Sequence, residues 1–246
     1  MSIKWNNVKQ QGQSKVKKAS PTVDLGIGPT ELIAGDMQAG FFGEVLASEL
    51  FTGPELASEI NLTAGIAQYD NEPWLKFAYK GEILYVAKKP YRHTVSWDDI
   101  QAVDAVYGGE NDAEVGKSGY NFKVRLLKGA SNDPTSWDDS GTDDEGASNS
   151  RYDPVESIGS EWNNLIYKVH EYSPVNQEGS NWANYTDSDI VVGSGDGRVT
   201  WCQETPSYDT SRRVHRGNSS LSYFITPTSS YSPSICGWRP CLTLIT

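Results

Sequence analysis

Arg213-Val-His-Arg-Gly-Asn218, a following stretch rich in Ser, Thr, Tyr and Pro, and then Ile235-Cys-Gly-Trp-Arg-Pro-Cys-Leu-Thr-Leu-Ile245 together decide how this chain reads. The outer pieces have strand character and the middle has turn composition, so the whole reads as two β-strands closing a domain across a polar loop. Gly237 and Pro240 sit beside Trp238 and Arg239, which predicts a sharp turn before a last run that stays apolar up to Ile245. A final strand of that composition is expected to be buried.

Upstream, the clearest local signal is Pro73 to Pro90, two runs of aromatic and β-branched residues meeting at Lys80-Gly81-Glu82, which predicts a β-hairpin. Tyr120-Asn-Phe-Lys-Val-Arg-Leu-Leu127 reads as another strand, and the glycines of residues 31–47 favour strands or tight packing over a helix. Thr52 with Pro54 and Glu55 predicts a short capped helix through Ile60. Ser96 with Asp99 predicts a second, whose apolar residues Ile100, Val103, Val106 and Tyr107 recur at helical spacing until Gly108-Gly109. A third is expected from Ser157 or Ser160, with Trp162, Leu165, Ile166 and Val169 as its apolar stripe. Gly193-Ser-Gly-Asp-Gly197 lacks the Lys-Ser/Thr of a phosphate loop and reads as a hairpin turn.

Composition agrees with a loop-rich α+β protein packed by aromatics, since eight Trp, thirteen Tyr and six Phe supply much of its apolar area. The net charge of −11 disfavours general affinity for nucleic acid. The charge is unevenly spread. Lys4, Lys9, Lys15, Lys17 and Lys18 lie in the first twenty residues with no acid among them, leaving 16 Lys and Arg against 32 Asp and Glu in the rest. Residues 1–30 therefore read as a basic arm, either exposed and disordered or an anchor that orders on an acidic neighbour through those lysines and Trp5. Residues 31–246 read as one body, with a possible sub-boundary near 128–158. No run is long and apolar enough for a bilayer span, and the lysines are not followed by an apolar export segment.

The family resemblance rests on the closing stretch. Arg213-Val-His-Arg-Gly217, a polar loop, Gly237-Trp-Arg-Pro240 and an apolar strand are similar to the end of the formylglycine-generating-enzyme-like branch of the C-type-lectin fold, which includes variable receptor-binding proteins of bacteriophages. Leu32–Glu44, Gly159–Tyr167, Asn181–Asp189 and Thr200–Thr205 resemble segments of phage virion and tail-associated proteins. The resemblance implies a C-type-lectin-like α+β body with antiparallel strands, two or three short helices, long loops and an extended N-terminal arm. It also implies a non-enzymatic virion protein of the tail, baseplate, collar or fibre, assembled in the host cytoplasm beside other virion proteins, with a symmetric homo-oligomer expected. A host-surface adhesin for a glycan or protein is the alternative.

A metal-dependent oxidase of the formylglycine-generating type is a further alternative, but the copper-holding cysteine pair of that family matches no position here. Cys236 and Cys241 flank Gly-Trp-Arg-Pro and Cys202 stands alone. The three read as small buried thiols or as one pair with a leftover. No cofactor is expected, except that calcium is a candidate for the acidic loop, where Asp138, Asp139, Asp143 and Asp144 could supply oxygen ligands if they are not simply a solvated charge run. Candidate ligand contacts are Asn218, Tyr223, Phe224 and Tyr231 in the closing loop, with Trp137 on the acidic loop. Aromatics among Ser and Asn make adaptable recognition surfaces, although the same tyrosines could equally pack beneath the loop.

Overall fold

The computed structural model describes residues 24–136, 159–171, 181–221 and 223–246. Regular structure begins with β1 (Ala34–Gly35), folded tightly back on β2 (Ala39–Val45). A Cβ on Gly35 would run into the Ala39 carbonyl, and its φ of 75° suits glycine alone. Then come α1 (Gly53–Glu59), β3 (Ile66–Ala67), β4 (Trp74–Tyr79), β5 (Glu82–Ala87), β6 (Arg92–His93) and α2 (Trp97–Gln101). Helix α1 starts where the sequence predicts: the Thr52 hydroxyl accepts from the Glu55 amide, and the Glu55 carboxylate accepts from the Thr52 amide, both at 3.3 Å. Helix α2 has the expected Ser96–Asp99 box but ends earlier than its periodicity implies. Asp104 takes a left-handed φ of 54° and the Ala105 amide returns to the Ile100 carbonyl, so Val103 and Val106 reach the core from a turn.

The hairpin β7 (Glu114–Lys117) and β8 (Tyr120–Arg125) follows. A π-helical turn, Trp162–Ile166, then runs into α3 (Tyr167–Val169), and α4 (Asp187–Ile190) comes next. The remaining strands are β9 (Val199–Trp201), β10 (His215–Arg216), β11 (Phe224–Ile225), β12 (Cys236–Trp238) and β13 (Cys241–Ile245). The architecture is α+β, with short helical stretches and two mainly antiparallel sheets. No helix among the described residues is long and apolar enough to cross a membrane.

The larger sheet has the order β1-β2-β4-β5-β13-β8-β7 and is antiparallel throughout; the smaller has the order β11-β10-β9-β12-β6-β3, with one parallel pair, β9 and β12. Both faces of the larger sheet are buried, and the period-two rule divides them. Trp74, Ala78, Tyr85, Phe122, Val124 and Leu242 face one core, shared with α1, α2 and Trp201 and Trp238 of the smaller sheet. Leu75, Phe77, Leu84, Val86 and Cys241 face the other, shared with Trp162, Leu165, Ile166 and Val169. Burial of each such large side chain contributes about 1.5–3 kcal/mol. Lys76 falls on the first face and is fully buried, its ammonium between the rings of Phe42 and Tyr85 and donating to the Pro29 carbonyl at 2.7 Å. Desolvation lowers its pKa to about 8.

Three expectations change. Residues 24–30, read as part of the arm, lie against the body: Tyr85 donates to the Ile27 carbonyl and Lys76 to that of Pro29. Gly193–Gly197 is no hairpin turn but connects α4 to β9. The polar stretch after Asn218 is not one loop, because its first part pairs back on residues 212–217. The ladder runs from Arg212 opposite Thr228, through His215 opposite Ile225, to the Gly217 amide donating to the Tyr223 carbonyl. The sharp turn at Gly-Trp-Arg-Pro is present and does more than bend a strand: it passes the chain from β12 in one sheet to β13 in the middle of the other.

Candidate functional site

The 212–228 hairpin places the candidate ligand residues of the closing stretch, and it separates them. Asn218 and Tyr223 flank its tip, half-buried, and the Asn218 side chain accepts from Arg198 Nε at 2.8 Å while its carbonyl accepts from the Gly193 amide. Asn218 thereby pins the loop before β9. Phe224 is fully buried among Ala130, Cys202 and Val214, with the Arg216 guanidinium 5.4 Å from its ring, so it is core and not a contact residue. Tyr231 lies beyond the open end of the hairpin, its amide bonded to the Thr228 carbonyl, and is 43% exposed. The four residues do not form one surface.

Beneath the hairpin the smaller sheet buries polar groups. Arg216 donates to the Gly129 carbonyl at 2.9 Å and to Asn163 Oδ1 at 3.0 Å, surrounded by the rings of Trp162, Tyr167 and Phe224. Arg239, from the Gly-Trp-Arg-Pro turn, donates to the carbonyls of Ala87, Lys88 and Ile190 and to Thr200 Oγ1, tying β5, α4 and β9 together. Burial lowers its pKa to about 9. The Glu204 carboxyl accepts from the Gly129 amide at 3.0 Å, yet burial raises its pKa to about 8, so it is mostly protonated at neutral pH. His215 is buried against Trp201, neither ring nitrogen has a hydrogen-bond partner among the described residues, and desolvation holds its pKa well below the usual histidine value. All three cysteines are free and buried; burial raises the thiols of Cys236 and Cys241 to about 12 and that of Cys202 well above its ordinary value.

A concavity lined largely by polar and charged side chains lies where β5, β8 and β13 meet the start of the π-helical turn. It encloses about 450 Å³, lined by Glu82, Tyr107, Lys123, Arg125, Lys128, Glu161, Gln203 and Thr243. Its floor is an ion pair with both partners buried: Arg125 meets the two Glu161 oxygens at 2.7 and 2.9 Å. Thr243 Oγ1 accepts from Arg125 Nε at 2.8 Å, and Glu161 also accepts from the Lys128 amide at 2.9 Å. Removing one partner of such a pair costs about 3–5 kcal/mol, so the floor is rigid. Tyr107 stands at the rim, 43% exposed and edge-on to Trp97.

None of these cleft residues was among the sequence candidates. Alternation in Tyr120–Leu127 already sets Lys123 and Arg125 opposite the apolar face of Phe122, Val124 and Leu126, and a charge on a strand buried on both sides demands a partner. Nothing in the local sequence names Glu161 as that partner, thirty-six residues later. The calcium candidates Asp138, Asp139, Asp143 and Asp144, the aromatic Trp137, and the anchor residues Lys4, Trp5, Lys9, Lys15, Lys17 and Lys18 lie outside the described residues. Among the described residues no group of three or more His, Cys, Asp or Glu is placed to hold a metal ion. No protein-family model, curated protein or solved structure matches the chain.

Proposed function

We propose that this chain is a non-enzymatic structural protein of a bacteriophage virion, a C-type-lectin-like body carried by a basic N-terminal arm in the tail, baseplate, collar or fibre. The observation that carries the reading is the closing segment. Of the strings that resemble the phage-associated branch, Gly237-Trp-Arg-Pro240 carries the chain from one sheet into the other and Arg213-Val-His-Arg-Gly217 supplies β10 of the smaller sheet, with Arg239 and Arg216 fully buried. The lysines of the arm and the acidic balance of the remaining chain supply complementary charges for docking on neighbouring virion subunits, further copies of this chain included. The test is quantitative mass spectrometry of gradient-purified particles made in cells expressing the tagged chain. Incorporation at a fixed copy number, lost when residues 1–20 are deleted, is the expected result; absence of the full-length chain from the particles overturns the reading.

A second reading, a host-surface adhesin, is favoured by the outward tyrosines Tyr107, Tyr208 and Tyr231, each 43% exposed. Tyrosine gives large contact area at low entropy cost. Adhesion of the chain to intact bacterial cells, weakened when one of these tyrosines is replaced by Ala, supports it, and adhesion to none overturns it. The oxidase alternative draws no support from the cysteines, since Cys202, Cys236 and Cys241 do not match the copper-holding pair of that family.

A further inference from the structure

The cleft at Arg125 and Glu161 holds a hydrogen-bonding inventory that is only partly used. Arg125 has five N–H donors. Among the described residues four are committed, to Thr243 Oγ1, the Leu126 carbonyl and the two Glu161 oxygens, which leaves one on its second terminal nitrogen. Glu161 Oε2 accepts twice, from Arg125 and the Lys128 amide, whereas Oε1 accepts once and keeps a lone pair. Gln203, 5% exposed, donates from Nε2 to the Leu126 carbonyl at 2.8 Å, and its Oε1 has no partner among the described residues. One donor and two acceptors, on side chains that line the same cleft and are fixed by burial, are thus offered to whatever enters.

The charge of the floor narrows the ligand class. An anion taken up by Arg125 would compete with Glu161 and leave that carboxylate buried without its partner, at a cost of several kcal/mol. A cation at Glu161 would strand Arg125 in the same way. An uncharged ligand bearing adjacent donor and acceptor groups completes the inventory without breaking the pair, and a vicinal diol has that arrangement. The exposed Tyr107 ring at the rim suits the C–H face of a sugar ring, and the cleft volume falls within the usual range for small-molecule sites.

We propose that this cleft binds a neutral saccharide unit, its vicinal hydroxyls paired with Arg125, Glu161 Oε1 and Gln203 Oε1 and its ring against Tyr107. The proposal rests on the adhesin reading and assigns its contact to a surface distinct from the tyrosine-bearing loop at Tyr231. The experiment is saturation-transfer NMR of the full chain with glucose, galactose, N-acetylglucosamine and rhamnose at millimolar concentration. The expected result is transfer to the ring protons of at least one sugar, at least tenfold weaker binding in Tyr107→Ala, and unchanged binding in Tyr231→Ala. Gln203→Met, with its urea midpoint checked against wild type, supplies a second variant and is expected to weaken the same sugar. Transfer from none of the sugars, or transfer that survives Tyr107→Ala and Gln203→Met, overturns the cleft. Adhesion to intact bacterial cells is measured in parallel: adhesion that persists in Tyr107→Ala overturns the cleft while sparing the adhesin reading, and no adhesion by wild type overturns that reading independently.

Discussion

The two sheets solve one problem by different means. In the larger, β4 and β5 pair over six consecutive positions and β13 pairs with β8 over five, so the backbone satisfies itself and the side chains are free to be apolar. In the smaller, strands are two or three residues long and side chains do much of the capping. Arg239 serves three carbonyls, Arg92 serves those of Thr63, Ala64 and Gly65, and the indoles of Trp201 and Trp97 serve Val95 and Cys202. Where a ladder is short, a buried carbonyl still needs a donor, and long side chains with several N–H groups provide one.

The largest effect is expected in the apolar sheet. Trp74 is fully buried, edge-on to Tyr91, and donates to the Phe51 carbonyl at 2.7 Å; Trp74→Ala should cost about 3–5 kcal/mol in urea unfolding. Arg239→Met keeps most of the volume and removes the donors, for an expected loss of about 2–4 kcal/mol. Hydrogen exchange tells the sheets apart here: amides of β9 and β12 should lose protection while those of β4 and β8, which Arg239 does not bond, keep theirs. Equal loss in both would mean that the sheets unfold as one unit and that the contrast has no energetic content.

Acid and base sharpen the contrast further. Glu204 has a folded pKa of about 8, above its ordinary 4.5, so the native state holds an extra proton between those values. Its contribution is fully present below pH 4.5 and is lost as pH rises through about 8, at roughly 1 kcal/mol per pH unit. Glu204→Gln should flatten that decline in denaturation series across the window. His215 works with the opposite sign, because its folded pKa lies well below 6.5 and the unfolded chain takes the proton first. Stability from its burial is present above pH 6.5 and falls below it, and His215→Phe should remove the acid limb. The smallest effect belongs to a helix end: Thr52→Ala should cost about 0.5–1 kcal/mol by the same measurement.

The same division decides what could be read from the sequence. The β4–β5 hairpin, β8, the caps at Thr52 and Ser96 and the turn at Gly-Trp-Arg-Pro were legible because each is fixed by neighbours in the chain. Of the smaller sheet, the strands within Arg213–Asn218 and from Ile235 were legible as strands, but their neighbours were not, since two-residue strands such as Ile66–Ala67 and Phe224–Ile225 have no period to detect and owe their positions to partners across the ladder. Helix α2 was overread for a related reason: apolar residues at helical spacing also suit a turn that packs on the same core. Of the ligand candidates, Phe224 was misplaced because exposure cannot be read from a polar neighbourhood. The cleft was missed because Arg125 and Glu161 meet only through tertiary structure.

The placement of β13 also governs when the fold can be completed. It lies between β5 and β8 and comes after both in chain order. Until Cys241–Ile245 leave the ribosome, β1, β2, β4 and β5 form one piece and β7 and β8 another, with open edges facing each other. While residues 126–240 are made, the growing chain must therefore hold two unpaired strand edges, the kind of surface that joins strands from other molecules. A nascent chain stalled before residue 241 exposes both edges to its neighbours, and five residues close them.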